Sequence, residues 1–331
     1  MATMTGCQWD PPHDNPLDPG SNAYHFPFGT LRVSVLTLIE QPIRDATVLL
    51  PELGQIAVTD TNGLVEFKEL PIGVWWVVAY RNNVGSAVYT SDSAQVTILT
   101  KAASEQTLLL DGLPEILSAY VFSVAYVDTN QQPDPIYSIR LKSTVLDPDG
   151  VHHLQRVEAV LIDSLHDYSL EIGLQYNADS AYWWQDIPAD SFRNNSTDNA
   201  LFLPFTFRAF DAVGNASPPR TALVARVLHN VPSLDNPTTE PRPLLQWTFD
   251  YYLELKDISN FNYHVIIYRD RPPLEEVYRR IVIPKNSSRN EHQVDVQLSF
   301  GDDYKWEVLV LDNFGNSSRS LRGKLTVGIT N

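Results

Sequence analysis

From residue 28 onward, apolar and polar side chains alternate in short runs broken by Pro, Gly, Asn and Asp, and helix formers are rarely grouped at a 3.6-residue repeat. Successive side chains on a strand point to opposite faces, so each alternating run predicts a strand with one face buried. Leu31-Arg32-Val33-Ser34-Val35-Leu36 is the first, and residues 46–50, 64–67 and 74–80 follow. Further strands are expected at 136–142, 157–162, 205–210, 244–247, 262–267 and 304–310. Between them stand turns such as Thr59-Asp60-Thr61-Asn62-Gly63 and Asp147-Pro148-Asp149-Gly150. In these, Asp and Asn bond to nearby backbone and Gly supplies positive φ. Two related turns, Asp211-Ala212-Val213-Gly214-Asn215 and Asp312-Asn313-Phe314-Gly315-Asn316, lie about one sandwich domain apart, as tandem domains would place them. The stretch from Asp163 to Thr197 fits no simple strand spacing and reads as a long irregular segment.

A chain of 331 residues suits two or three domains. The pattern predicts an all-β chain of three tandem β-sandwiches after an extended N-terminal linker: 1–28 linker, then sandwiches over 29–112, 113–228 and 229–331. The linker carries Pro11, Pro12, Pro16, Pro19 and Pro27, which fix φ and favour an extended, semi-rigid path. A second proline-rich stretch, 229–243, reads as a spacer before the last sandwich.

Three resemblances sharpen this expectation. The string from Pro42-Ile43 and Ala46-x-Val48 through Thr59-Asp60-x-Asn62-Gly63, Phe67 and Leu70-Pro71-x-Gly73 to Trp75-x-Val77 resembles the carboxypeptidase regulatory-like, transthyretin-like sandwich. That likeness implies a seven-stranded structural module without catalytic residues. The last segment resembles a fibronectin type III domain: Trp247 stands at its early core tryptophan, and Leu298-x-x-Gly301-x-x-Tyr304 resembles the corner whose tyrosine hydroxyl bonds back to the backbone. The middle segment resembles bacterial immunoglobulin-like domains, less specifically.

The only cysteine, Cys7, cannot form a disulfide within one chain. Thr5-Gly6-Cys7 resembles the end of a bacterial lipobox, with Met4 where Leu is usual, and the segment after it resembles a lipoprotein linker. The resemblance implies an export signal upstream, a lipid on Cys7, and a cell-envelope or extracellular location. Gln8 in place of Asp favours the outer membrane. Residues 1–6 are too short to hold a signal's apolar core, and no run approaches the ~18–20 apolar residues of a membrane-spanning helix. Any membrane contact is therefore expected through the lipid on Cys7.

The net charge of −16 repels phosphate backbones, and no basic stripe interleaved with aromatics is present, which argues against nucleic-acid binding. No His-Glu-x-x-His, phosphate loop, Gly-x-Ser-x-Gly elbow or Cys–His pairing occurs, so no enzyme and no cofactor is expected. Asp147 and Asp149 are weak calcium candidates, since that ion needs several oxygen ligands and the residues after Gly150 supply no closing Glu; the competing reading is a turn that needs no metal.

Aromatics are the better candidates for contact with a ligand or partner. On the predicted strand 74–80, Trp75 and Trp76 point to opposite faces, leaving one ring outside, covered by a neighbouring module or by a partner. Tyr182-Trp183-Trp184, in the irregular stretch, is either a loop-borne recognition element or core filling. The expected function is a non-catalytic surface scaffold with a protein or glycan partner, self-assembly included. The alternatives are a glycan-binding accessory protein acting through Trp183 and Trp184, and an enzyme with an unrecognised site.

Overall fold

The computed structural model describes residues 28–81, 88–100, 102–127, 134–251, 260–285 and 287–328. The chain is all-β: among these residues there are twenty-two strands and five short 3-10 turns, and no helix is long and apolar enough to cross a membrane. The described residues divide into two compact units, those up to 114 together with 147–153, and those of 115–146 together with those from 154 on.

The first unit holds β1 (Phe28–Thr37), β2 (Thr47–Leu50), β3 (Gln55–Val58), β4 (Leu64–Pro71), β5 (Gly73–Tyr80), β6 (Asp92–Ile98) and β7 (Ala103–Leu110). Two sheets, β4-β1-β7 and β3-β2-β5-β6, supply the walls of one core. β1 pairs antiparallel with β4 and parallel with β7. Its alternation puts Leu31, Val33 and Val35 into that core against Val48, Phe67, Val77 and Leu108. The 59–63 turn works through its polar groups. Asp60 Oδ1 accepts the N–H of Asn62 (2.8 Å) and Leu64 (3.0 Å), and buried Thr59 Oγ1 accepts the Ala46 N–H (2.9 Å) while donating to the Ile43 carbonyl (2.6 Å). Gly63 sits at φ 70° with its would-be Cβ 2.6 Å from the Val35 carbonyl, so a larger residue is excluded there.

The second unit contains two cores joined by one sheet. Around the first lie β8 (Glu115–Tyr126), β9 (Ile136–Leu146), β10 (Leu154–Asp163), β11 (Tyr168–Asn177), β12 (Tyr182–Pro188), β13 (Pro204–Asp211) and β14 (Arg220–Leu223). β11 pairs with β10 through residues 168–174 and with β12 through 175–177, so it carries the sheet around the core. The segment expected to be irregular is thus two strands followed by three 3-10 turns; Leu170, Ile172 and Leu174 alternate inward along β11, and Phe192 and Ala200 pack beneath the turns.

Around the last core lie β15 (Ser233–Leu234), β16 (Leu244–Thr248), β17 (Phe261–Arg269), β18 (Glu275–Val282), β19 (Arg289–Gln293), β20 (Asp303–Asp312), β21 (Ser317–Arg319) and β22 (Gly323–Thr326). β15-β16-β19 faces a sheet built on β17 and β20. Trp247 is fully buried edge-on against Tyr263, ring centroids 5.1 Å apart, and Tyr304 accepts the Ser299 N–H at its hydroxyl (3.0 Å). The proline-rich stretch 229–243 is no free spacer: β15 lies within it and pairs with β16, and Asn230 Nδ2 donates to the Asp250 carbonyl (3.0 Å).

No linker separates these two cores. Val227 belongs to the first and Leu228, the next residue, to the second, as side chains alternating along an extended chain permit. β21 pairs in parallel with the end of β8, so one sheet runs from β14 to β18. The Ser123 N–H donates to Asn316 Oδ1 (2.7 Å), the Leu228 N–H donates to Ser123 Oγ (3.1 Å), and Ser318 Oγ donates to the Asn230 carbonyl (2.5 Å).

Candidate functional site

The acidic turns come first, because their geometry decides whether they are free to bind a cation. Asp149 is 2 % exposed, and its two carboxylate oxygens accept the N–H of Leu38 (3.0 Å) and Gly112 (2.6 Å). Asp147 Oδ1 accepts the Asp149 N–H (2.8 Å) and its carbonyl accepts the Gly150 N–H (2.9 Å). Both carboxylate oxygens of Asp149 are thus engaged by backbone donors, and the pair shapes a clasp. Gly112 is required at the contact, since a Cβ there would meet the Pro148 ring at 2.6 Å. Asp211 Oδ1 caps its own turn through Val213, Gly214 and Asn215. Asp312 does the same through Phe314 and Asn316, and its second oxygen takes Asn316 Nδ2 (2.9 Å) and Arg226 Nη1 (3.3 Å). Among the described residues no group of three or more His, Cys, Asp or Glu side chains is placed to hold a metal.

Trp76 projects from β5 on the outer face of β3-β2-β5-β6 and is 43 % exposed. Trp75, on the other side, packs against the core and donates its indole N–H to the Pro71 carbonyl (2.9 Å). Toward β2 and β3 this face is largely apolar, while β6 presents Ser93, Gln95 and Thr97 and the Trp76 backbone N–H donates to Glu52 (3.3 Å). Pairing sets Ile56, Leu49 and Val78 side by side in one cross-strand row, with Val58 opposite Thr47 and Val74 two residues from Trp76. Ile56, Val58 and Val74 are each more than half exposed. The sheet on the far side of the same core carries a charged face instead: Arg32 bonds Glu66 (3.1 Å), which also pairs with Lys68 (3.2 Å), and Glu105 lies opposite Arg32 on β7.

Tyr182, Trp183 and Trp184 lie on β12, not on a loop, and alternate. Trp183 points into the core, 9 % exposed, against Tyr176 with ring centroids 5.3 Å apart. Trp184 and Tyr182 point outward. Trp184 sits in a cross-strand row with Lys142, Tyr120 and Gln175. The Arg140 guanidinium lies 5.3 Å from the Trp184 ring and Lys142 Nζ 4.1 Å from that of Tyr182, in cation–π contact. Arg140 also makes a two-pronged bond to Asp186 (2.5 Å each), and that bond raises its already high pKa. The three candidates therefore split: one fills the core and two line a mixed aromatic and cationic face on which Tyr120 is 56 % exposed.

Cys7 and its linker lie outside the described residues. Residues that sequence reasoning missed are Ile56, Val58 and Val74 of the apolar face and Ser123 and Asn316 of the joint. The first three had a signal in principle, because a strand apolar at consecutive positions must show some of them to solvent. Asn316 reads as a glycosylation sequon in the sequence but is 1 % exposed and held by its bonds to Ser123 and Asp312.

No protein-family model matches the chain, and no curated protein matches it. Among solved structures it is similar to the Bacillus anthracis TIE protein, at 12% identity over 91% of this chain and 48% of that one, with a TM-score of 0.28, so the chain spans about half of that structure's length. It is similar to the major pilin subunit BcpA of Bacillus cereus, at 8% identity over 92% of this chain and 97% of that one, with a TM-score of 0.32. A tetra-tandem repeat from the extending region of a large adhesion protein is similar at 11% identity over 89% of this chain and 74% of that one, with a TM-score of 0.21. Likenesses at this level carry no argument about what the chain does.

Proposed function

We propose that this chain is a non-catalytic cell-envelope scaffold, held by a lipid on Cys7, spaced from the membrane by residues 8–27, and built to present sheet faces to a protein partner. In this reading residues 29–112 form a transthyretin-like module, 113–228 an immunoglobulin-like one and 229–331 a fibronectin type III-like one; the Tyr304 bond to the Ser299 backbone favours the last. One observation carries the scaffold reading. The two cores of the second unit share a continuous sheet through the β8–β21 pairing, with Ser123 and Asn316 locking the joint. Such a joint holds two sandwiches at a fixed angle, which suits load or display. The buried turns at Asp211 and Asp312 in the same unit serve as internal clasps.

The test is expression in a bacterial host with the upstream reading frame, followed by labelling with an alkyne-bearing palmitate analogue and membrane fractionation. Label on the wild type and its loss, together with release from the membrane, in Cys7→Ser support the anchor. An unlabelled, freely soluble wild type would remove it. A second reading, glycan binding, is favoured by the row of Tyr120, Lys142, Trp184 and Gln175, in which flat rings sit beside hydrogen-bonding groups. Calorimetric titration with soluble oligosaccharides tests it, with Trp184→Ala as the control.

A further inference from the structure

The sheet shared by the two cores of the second unit presents one outer face on both sides of the joint. Trp184 lies opposite Lys142 and Lys142 opposite Tyr120; six residues further along β8, Tyr126 lies beside Arg319 of β21. Arg319 stands opposite Leu309 of β20, two residues from Glu307. Paired residues share a face, and so do residues two apart on a strand, so all of these side chains stand on the side away from the cores. This face is positive in a chain of net charge −16. Asp186 and Glu276 are each matched by one arginine, Arg140 and Arg279. Glu307 is fully buried and shared by two: Arg322 Nε at 2.9 Å and Arg319 Nη1 at 3.7 Å, with the Tyr268 hydroxyl donating to it at 2.9 Å. A carboxylate so deeply buried has to be paired, which holds both arginines on the face. Arg319 stays 43% exposed and too far from Glu307 for a hydrogen bond. Lys142 meets no carboxylate among the described residues, and its ammonium lies 4.1 Å from the Tyr182 ring. One unmatched positive charge thus sits at each end of a six-residue stretch of β8, about 20 Å at ~3.3 Å per residue.

We infer that this face binds an acidic polysaccharide laid across the joint, its carboxylate or sulfate groups on Lys142 and Arg319 and its sugar rings against Trp184 and Tyr120. The inference rests on the glycan reading and names the ligand class for that face. Charge complementarity selects an anion, since an acidic chain attracts one only where its cations outnumber its carboxylates. A guanidinium presents parallel N–H donors that match two oxygens of one acid group. The separation of the two charges selects a polymer with repeated acid groups over a single small anion. An extended peptide binds a sheet by adding to a free edge, yet β9, β8, β21 and β20 are each paired on both sides. What the face offers is rings and cations, and Tyr120 is 56% exposed beside Lys142.

Calorimetric titration of the full chain tests it with four probes of matched length: oligogalacturonate, which carries only carboxylates, dextran sulfate, neutral dextran and polyglutamate. The two acidic sugars are expected to bind, more weakly as salt is raised, and their ratio tells whether carboxylate or sulfate is preferred. Lys142→Gln and Arg319→Gln are each expected to weaken binding by up to about fivefold, and their effects to add because the sites are far apart. Arg319→Gln leaves Arg322 and Tyr268 on Glu307, so its thermal melt stays near wild type. Arg44→Gln removes an equal charge from an exposed site in the first unit and leaves binding unchanged. Binding of neither acidic sugar at low salt would overturn the inference, as would binding indifferent to both substitutions or polyglutamate binding just as tightly. Neutral dextran binding that depends on Trp184 but not on Arg319 would keep the glycan reading and remove this one, whereas no binding of any sugar would remove both.

Discussion

The backbone N–H of Ser123 donates to the side-chain oxygen of Asn316 at 2.7 Å, across 193 residues of sequence. Both groups are buried, and the same asparagine donates to Asp312 while the same serine accepts from Leu228 through its hydroxyl. Removing the amide by Asn316→Ala strands a buried N–H, which costs about 1–3 kcal/mol. Urea denaturation should show this loss, and amide exchange should quicken at β8 and β21 first.

Asp149 is expected to be a stability residue and not a calcium ligand. Asp149→Ala leaves the Leu38 and Gly112 N–H groups without their charged acceptor, a loss of about 2–3 kcal/mol. Calorimetric melts should register it, and neither calcium nor chelator should move the wild-type transition. A rise in melting temperature with calcium would contradict the clasp.

The two tryptophans of β12 should separate sharply. Trp183→Ala opens a cavity in a packed core and costs about 3–5 kcal/mol. Trp184→Ala loses an outward cation–π contact with Arg140, worth about 0.5–1 kcal/mol at such sites. Equal losses in a chemical denaturation series would mean that both rings are core.

Stability should fall between pH 7.5 and 5.5. Burial holds the imidazoles of His264 and His292 below the ordinary histidine range; Arg279 adds to the effect at His264, while at His292 Asp295 opposes it and Arg280 adds to it. The unfolded chain takes up these protons near pH 6.5, the folded chain resists them, and stability present above that pH is lost as it drops. His292 Nε2 also lies 2.6 Å from the Tyr278 hydroxyl. Glu276, Glu291 and Asp295, whose arginine and lysine partners lower their pKa values, lose their contributions only nearer pH 4. Thermal melts of His292→Gln should show a shallower slope over this window.

The sequence makes the strands with one buried face legible: residues 31–36, 205–210 and 304–310 alternate because one side meets a core and the other meets water. Turn 59–63 is legible because Asp60 and Gly63 do local work. β8 is hidden because Ser123, Val124 and Ala125 are all buried where β21 pairs with it, which erases the two-residue period. β11 does alternate, but Glu171, Gly173 and Gln175 mask its three inward aliphatics. Of the candidate site, the paired tryptophans are visible in the chain, whereas the joint is a contact between distant segments that no local pattern announces. The apolar part of the Trp76 face emerges only once the register places β2, β3 and β5 side by side.

Rigidity of the second unit is the central claim, and distance measurement by electron spin resonance tests it most directly. Spin labels go on cysteines replacing Ile162 of β10 and Ile281 of β18, both well exposed, in a Cys7→Ser background. A single narrow distance distribution is expected, broadening when Asn316→Ala is added. A broad distribution in the parent, with both cores still folded, would contradict a continuous sheet holding the two sandwiches as one body.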